Sequence, residues 1–373
     1  MIKDLRKYLK APFPYFGGKS AIADKVWGYF WDIKHYIEPF CGSIAVLLKN
    51  PKCGEGLVET VNDKDGNIAN VWRSIQKDPD KVAYYCDYPV NHIDLEARMR
   101  YLGKHYDSLV EKLLNDPDYY DAQIAGYYIW AMSCSIGGDL AERLGKNKRN
   151  SPATERNTSA GGLPHISHRG RGVHAKSDLY TELLEKEQAA TGSIPHLTDR
   201  GRGVHATLSL PEVESDLVNS KDLLSRPYNQ KIYVWLRLLA ERLRYVRVVC
   251  GEWHRVCGGN WQDKLGNVGI FFDPPYSYED RDDGLYHIDS KKVAHDVRKW
   301  CIERGSIPTY RIILAGYAPE HEELLKYGWS TYTYSVNGGY SNQAKKQKNN
   351  NRHLETLFIS PHCKPKSAML QLF

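Results

Sequence analysis

The tetrapeptide Asp273-Pro274-Pro275-Tyr276 directly follows a five-residue apolar run, 268–272. Two prolines fix the backbone and supply no N–H of their own. The turn therefore presents one carboxylate, one carbonyl and one aromatic ring. That set suits a conjugated exocyclic amine such as adenine's, whose lone pair is delocalised and weakly nucleophilic. The Asp273 carboxylate and the Pro274 carbonyl could each accept one N–H and stabilise positive charge developing on nitrogen. Tyr276 could stack on a base taken out of a duplex. In isolation, a proline-rich turn after a core strand explains the same four residues equally well.

Three further stretches carry chemistry. Pro14-Tyr15-Phe16-Gly17-Gly18-Lys19 reads as a loop feeding the start of a helix at Ser20. Glu38-Pro39-Phe40-Cys41-Gly42-Ser43 follows the short apolar run 35–37. A carboxylate there, with a glycine allowing close backbone approach, suits a ligand with an amino-acid tail. A second strand, expected at 56–61, ends in Asn62-Asp63, and Asp63 is placed to accept ribose hydroxyls, as an acid at that point does in nucleotide-binding folds. Each of these signals is weak alone; their order along the chain is what gives them weight.

The elements that position these residues alternate strand and helix at both ends of the chain. Strands are expected at 35–37, 56–61, 246–250, 268–272 and 311–315, with a terminal hairpin at 330–336 and 354–360. Helices are expected at 67–76, 122–135, 232–244, about 290–304 and 319–327, the last ending at Gly328. Strand, polar turn and helix form the opening unit of a doubly wound α/β fold, in which ligands lie at the carboxyl ends of the strands. The expectation is one α/β domain, 1–77 with 232–373, interrupted by a mainly helical and loop-rich insert, 78–231. Within the insert, 145–220 is rich in Gly, Arg, His, Ser and Thr. The sequence 163–175 recurs there as 194–206, and two copies are too few for a solenoid.

Taken together, these motifs resemble the Dam-like (D12 class) DNA adenine-N6 methyltransferases. The donor loop resembles Tyr15–Lys19, the cofactor motif Glu38–Ser43 and the catalytic motif Asp273–Tyr276, which is matched without change. The resemblance implies a Rossmann-like S-adenosylmethionine-dependent methyltransferase sheet and a ribose-binding role for Asp63. It also implies that Lys19 lies near the cofactor and the catalytic turn. Gly251-Glu252-Trp253 resembles the element before the catalytic strand. Glu252 would then contact the cofactor's adenine amino group, with Trp253 packed beside it. The implied activity is methyl transfer from S-adenosyl-L-methionine to adenine N6 in double-stranded DNA. RNA as the acceptor, or a non-catalytic DNA-binding protein, are the alternatives. Two departures stand out. Ile44 occupies the place of a second glycine in the cofactor loop, and Glu252 replaces the commoner Asp.

Base recognition would fall to the insert. Arg169, Arg171, Arg200 and Arg202 sit in Arg-Gly-Arg-Gly tracts that suit phosphate tracking over base reading, so a short or relaxed recognition site is expected. Lys345, Lys346 and Lys348 form a second basic patch. Net charge is +6, from 51 basic and 45 acidic side chains, which suits a nucleic-acid enzyme without requiring one. No apolar run reaches the length of a membrane span and residues 1–30 do not read as a leader, so a cytoplasmic protein is expected. The eight cysteines include no CxxC pair. Cys250, His254 and Cys257 lack a second pair of ligands, so no metal is expected.

Overall fold

A computed structural model describes residues 9–15, 18–53, 56–134, 230–258, 264, 266–275, 292–334 and 355–365. In chain order its helices are α1 (Ala23–Tyr29), α2 (Ala45–Leu48), α3 (Gly66–Lys77), α4 (Pro79–Cys86), α5 (His92–Asn115), α6 (Ala122–Cys134), α7 (Gln230–Leu243), α8 (His254–Cys257), α9 (Val293–Arg304) and α10 (Ala318–His321). The strands are β1 (His35–Glu38), β2 (Val58–Asp63), β3 (Arg247–Cys250), β4 (Val268–Phe272), β5 (Tyr310–Tyr317), β6 (Ser330–Thr333) and β7 (Glu355–Ile359).

The strands form one sheet in the order β3-β2-β1-β4-β5-β7-β6. The pairs from β3 to β5 are parallel, whereas β7 runs antiparallel between β5 and β6. The expected hairpin of β6 and β7 is therefore present, and β7 also pairs along β5 with Tyr317 opposite Glu355. Alternation along each strand builds two cores, one on each face. Tyr36 and Phe271 belong to one apolar cluster, and Ile37, Ile270 and Phe272 to the other. A sheet covered on both faces explains why β4 reads as an uninterrupted apolar run, all five residues being buried.

Helix α3 starts where Asp65 caps it, its side chain accepting the Asn67 N–H at 2.9 Å. Its Ile68, Val71, Trp72 and Ile75 are fully buried. Helices α5 and α6, from the segment expected as an insert, share the same apolar cluster through Leu95, Met99, Leu102, Ile129 and Trp130. None of the described helices is long and apolar enough to cross a membrane.

Strand order reverses between β1 and β4: the chain runs outward through β2 and β3 on one side and through β5 on the other. The crevice outside the carboxyl ends of strands at such a reversal is where doubly wound folds bind ligands. Glu38 ends β1, and Asp273 follows β4 immediately.

Ile44, the departure in the loop after β1, is the only non-glycine described residue with positive φ, at 48°. It takes the left-handed conformation that glycine would supply, while its side chain is fully buried. Left-handed backbone costs an L-residue about 1–2 kcal/mol, and burial of the side chain offsets that. Ile44→Gly is expected to lower stability by about 2–4 kcal/mol through the cavity it leaves. Ile44→Ala should be worse by a further ~1 kcal/mol, because it loses the packing and keeps the strain. Urea unfolding of both variants checks this order; an alanine variant as stable as the glycine one would contradict it.

Candidate active site

The loop Glu38–Ser43 is held from three sides. Asp63 Oδ2 accepts the Gly42 N–H at 2.9 Å, and Trp72 Nε1 donates to the Gly42 carbonyl at 2.8 Å. Asn62 is fully buried, and its Nδ2 donates both to the Pro39 carbonyl and to the Gly251 carbonyl, each at 2.9 Å. One side chain at the end of β2 thus ties the turn after β1 to the turn after β3. Gly42 has φ +42°, and an added Cβ would lie 2.3 Å from the Tyr15 ring. Glycine is required there on both counts, and Tyr15 packs where a side chain would otherwise stand.

A solvent-open cleft lies over these strand ends. Of the residues expected at a site, Tyr15, Gly18, Lys19, Glu38, Pro39, Phe40, Gly42, Asp63, Glu252, Trp253 and Asp273 all line it. Pro274 is buried and is not among its lining residues, whereas Pro275 is. Phe16, Gly17 and Tyr276 lie outside the described residues, as do Arg169, Arg171, Arg200, Arg202, Lys345, Lys346 and Lys348.

The cleft has an acidic floor and an aromatic wall. Glu38 is buried and accepts the Tyr36 hydroxyl at 2.9 Å. Burial pushes its carboxyl up to about 8, against the opposing pull of the Tyr36 hydroxyl and the Leu47 N–H. Burial likewise raises Asp63 to about 7, although it accepts backbone N–H groups from Gly42 and Asp65. The Trp253 ring sits 6.5 Å from Phe40 and 5.9 Å from Phe272. Glu252 is half-exposed and ion-paired with Lys64. Such an exposed pair contributes about 0–1 kcal/mol, so a ligand can displace Lys64 from Glu252 at little cost.

Lys19 is buried, with its Nζ 3.1 Å from Asp273 Oδ1 and 3.7 Å from Glu355 Oε2. Glu355 Oε2 also accepts the Tyr334 hydroxyl at 2.8 Å. Local pattern does not mark Asn62, Glu355, Tyr36 or Trp72 as site residues. Trp72 lies on the apolar face of an expected helix and Asn62 directly after an expected strand, but Glu355 reaches the site only through the pairing of β7 with β5. Among the described residues no group of three or more His, Cys, Asp and Glu could hold a metal ion.

Two buried carboxylates with raised pKa values fit a ligand that brings a cation and hydroxyl donors, since either would favour their charged forms. The sign of the Glu38 shift also sets a pH dependence. Its folded value lies above the free carboxyl's, so the protonated form is the one that folding favours. The stability this contributes is complete below about pH 4.5 and is lost as pH rises towards 8. Glu38→Gln should therefore stabilise the ligand-free protein at pH 8, on the order of 2 kcal/mol, with the difference fading by pH 4.5. Thermal unfolding across that range measures it; a variant less stable than the parent at pH 8 would refute the assignment.

A seven-stranded sheet of this order, flanked by helices, with an acidic and aromatic cleft at its reversal, is an α/β methyltransferase fold. Residues 15–134, about a third of the chain, match the family model of the D12 class N6 adenine-specific DNA methyltransferases. The matched segment runs from Tyr15 through Glu38–Ser43 and Asp63 to the end of α6. It supports methylation of adenine in DNA as the general activity. No curated protein matches the chain at a significant level.

Proposed function

We propose that the protein transfers a methyl group from S-adenosyl-L-methionine to the N6 amine of adenine in double-stranded DNA. The observation that carries this reading is the placement of Glu38 and Asp273 at the ends of adjacent parallel strands, opening into one cleft with Asp63. Glu38 would hold the cofactor's ammonium group and Asp63 its ribose hydroxyls. Phe40 and Trp253 would flank its adenine, with Glu252 on the adenine's amino group. When bound, S-adenosylmethionine supplies an electrophilic methyl group on a sulfonium. Asp273 would accept one N–H of the target amine, and the Pro274 carbonyl the other. The nitrogen lone pair is then free to leave conjugation and form the N–C bond as the methyl carbon's bond to sulfur breaks, its electron pair leaving with a neutral thioether, and the surplus proton passes to the Asp273 carboxylate and on to water. Tyr276 would stack on the extruded base.

Residues 78–231 would supply DNA recognition, the Arg-Gly tracts and the 345–348 lysines tracking phosphates. Phosphate tracking implies short or relaxed specificity and binding that weakens steeply with salt. The test is transfer of tritium from methyl-labelled S-adenosylmethionine to duplex DNA, with RNA of the same sequence as comparison. Label recovered as N6-methyladenine in DNA is the expected result. Label in RNA alone, or DNA binding with no transfer, would overturn it.

A further inference from the structure

We propose that Glu355 is a positioning residue for this methyl transfer, sharing the Lys19 ammonium with Asp273 so that the ammonium can pass to Glu355 when the Asp273 carboxylate turns to the reacting amine. The inference rests on the function proposed above. Glu355 opens β7 opposite the last residue of β5, so the sheet brings it to the same edge as the turn after β4. Tyr334 fixes it twice, through its hydroxyl at 2.8 Å and through its N–H to the Glu355 carbonyl at 3.1 Å. Lys19 is 5% exposed, so few waters screen its charge.

An ammonium held on Asp273 opposes the positive charge that develops on the nitrogen. Glu355 draws the ammonium off Asp273, which leaves that carboxylate to favour the nitrogen in the transition state. The distances fit this sharing. The ammonium is nearer Asp273, and Glu355 stands 0.6 Å farther off (3.7 against 3.1 Å) as the alternative partner when Asp273 accepts the amine's N–H.

The test is a double-mutant cycle on the full chain with labelled S-adenosylmethionine and duplex DNA, using Glu355→Gln, Lys19→Met and the pair. Glu355→Gln is expected to lower kcat about tenfold with KM for DNA within about twofold. It should also move the acidic limb of the kcat profile to lower pH, because the lost charge no longer opposes ionisation of Asp273. In the Lys19→Met background the same change should alter kcat by less than about twofold. Urea-unfolding midpoints of the four proteins provide a readout without substrate, in which the two substitutions should be non-additive. Equal kcat losses in both backgrounds, an unmoved acidic limb or additive midpoints would overturn the role. A wild-type protein that labels no DNA overturns the functional reading and this role together. A wild type that labels DNA, with Glu355→Gln fully active, overturns the role alone.

Discussion

Replacing Asp273 with alanine is expected to slow methyl transfer to DNA by roughly 10³-fold while leaving cofactor affinity within a few-fold. Asp273 directly follows β4, and Lys19 already bonds its Oδ1 at 3.1 Å. The lysine orients the group and the strand fixes its backbone, so little reorganisation is needed when the amine arrives. Asp273→Asn keeps an acceptor oxygen and loses the charge, so it should fall between the parent and the alanine variant, near 10². Neither change should unfold the protein, because Glu355 remains beside Lys19 and the ammonium is not left buried alone. Single-turnover transfer of labelled methyl, with thermal unfolding as a control, separates chemistry from folding. An alanine variant retaining more than about a tenth of the parent rate would remove Asp273 from the reaction.

How much of this was legible beforehand depended on sequence distance. Residues 268–272 form β4 at the bounds their apolar run predicts, because both faces of that strand are buried. The face Ile68, Val71, Trp72 and Ile75 forms α3 because helical spacing and the Asp65 cap agree locally. The cleft residues Glu38, Asp63 and Asp273 are each marked by the strand that precedes them. What local pattern cannot show is which strands are neighbours. The terminal hairpin was readable, yet its insertion beside β5 was not, and only that insertion carries Glu355 to Lys19. Asn62 is similar: an asparagine before an expected acid gives no hint that its amide joins two loops 212 residues apart (Pro39 and Gly251). Ile44 illustrates a different limit, since an isoleucine gives no local sign that it will take positive φ; its buried side chain offsets the strain.

The same long-range logic locates the largest stability effect away from the cleft. Arg242 of α7 pairs with Glu59 of β2 through two bonds, at 2.8 and 2.7 Å, and gives a third to the Leu47 carbonyl at 2.8 Å. Glu59 also accepts the Asn50 side-chain amide. Both charges are almost wholly buried. Helix α2 thus receives Arg242 at the Leu47 carbonyl, while the Leu47 N–H bonds to Glu38 on the floor of the cleft. Arg242→Met should cost about 3–5 kcal/mol, since it leaves Glu59 charged, buried and without its cation. Pairing that change with Glu59→Gln should recover much of the loss, because it removes the orphaned charge. The exposed Lys64–Glu252 pair sets the contrast: breaking it should cost no more than about 1 kcal/mol. Urea denaturation of the two single variants and the double variant checks the ranking. Additive losses at Arg242 and Glu59 would show that the two act separately, and the link from α7 through α2 to Glu38 would then lose its energetic basis.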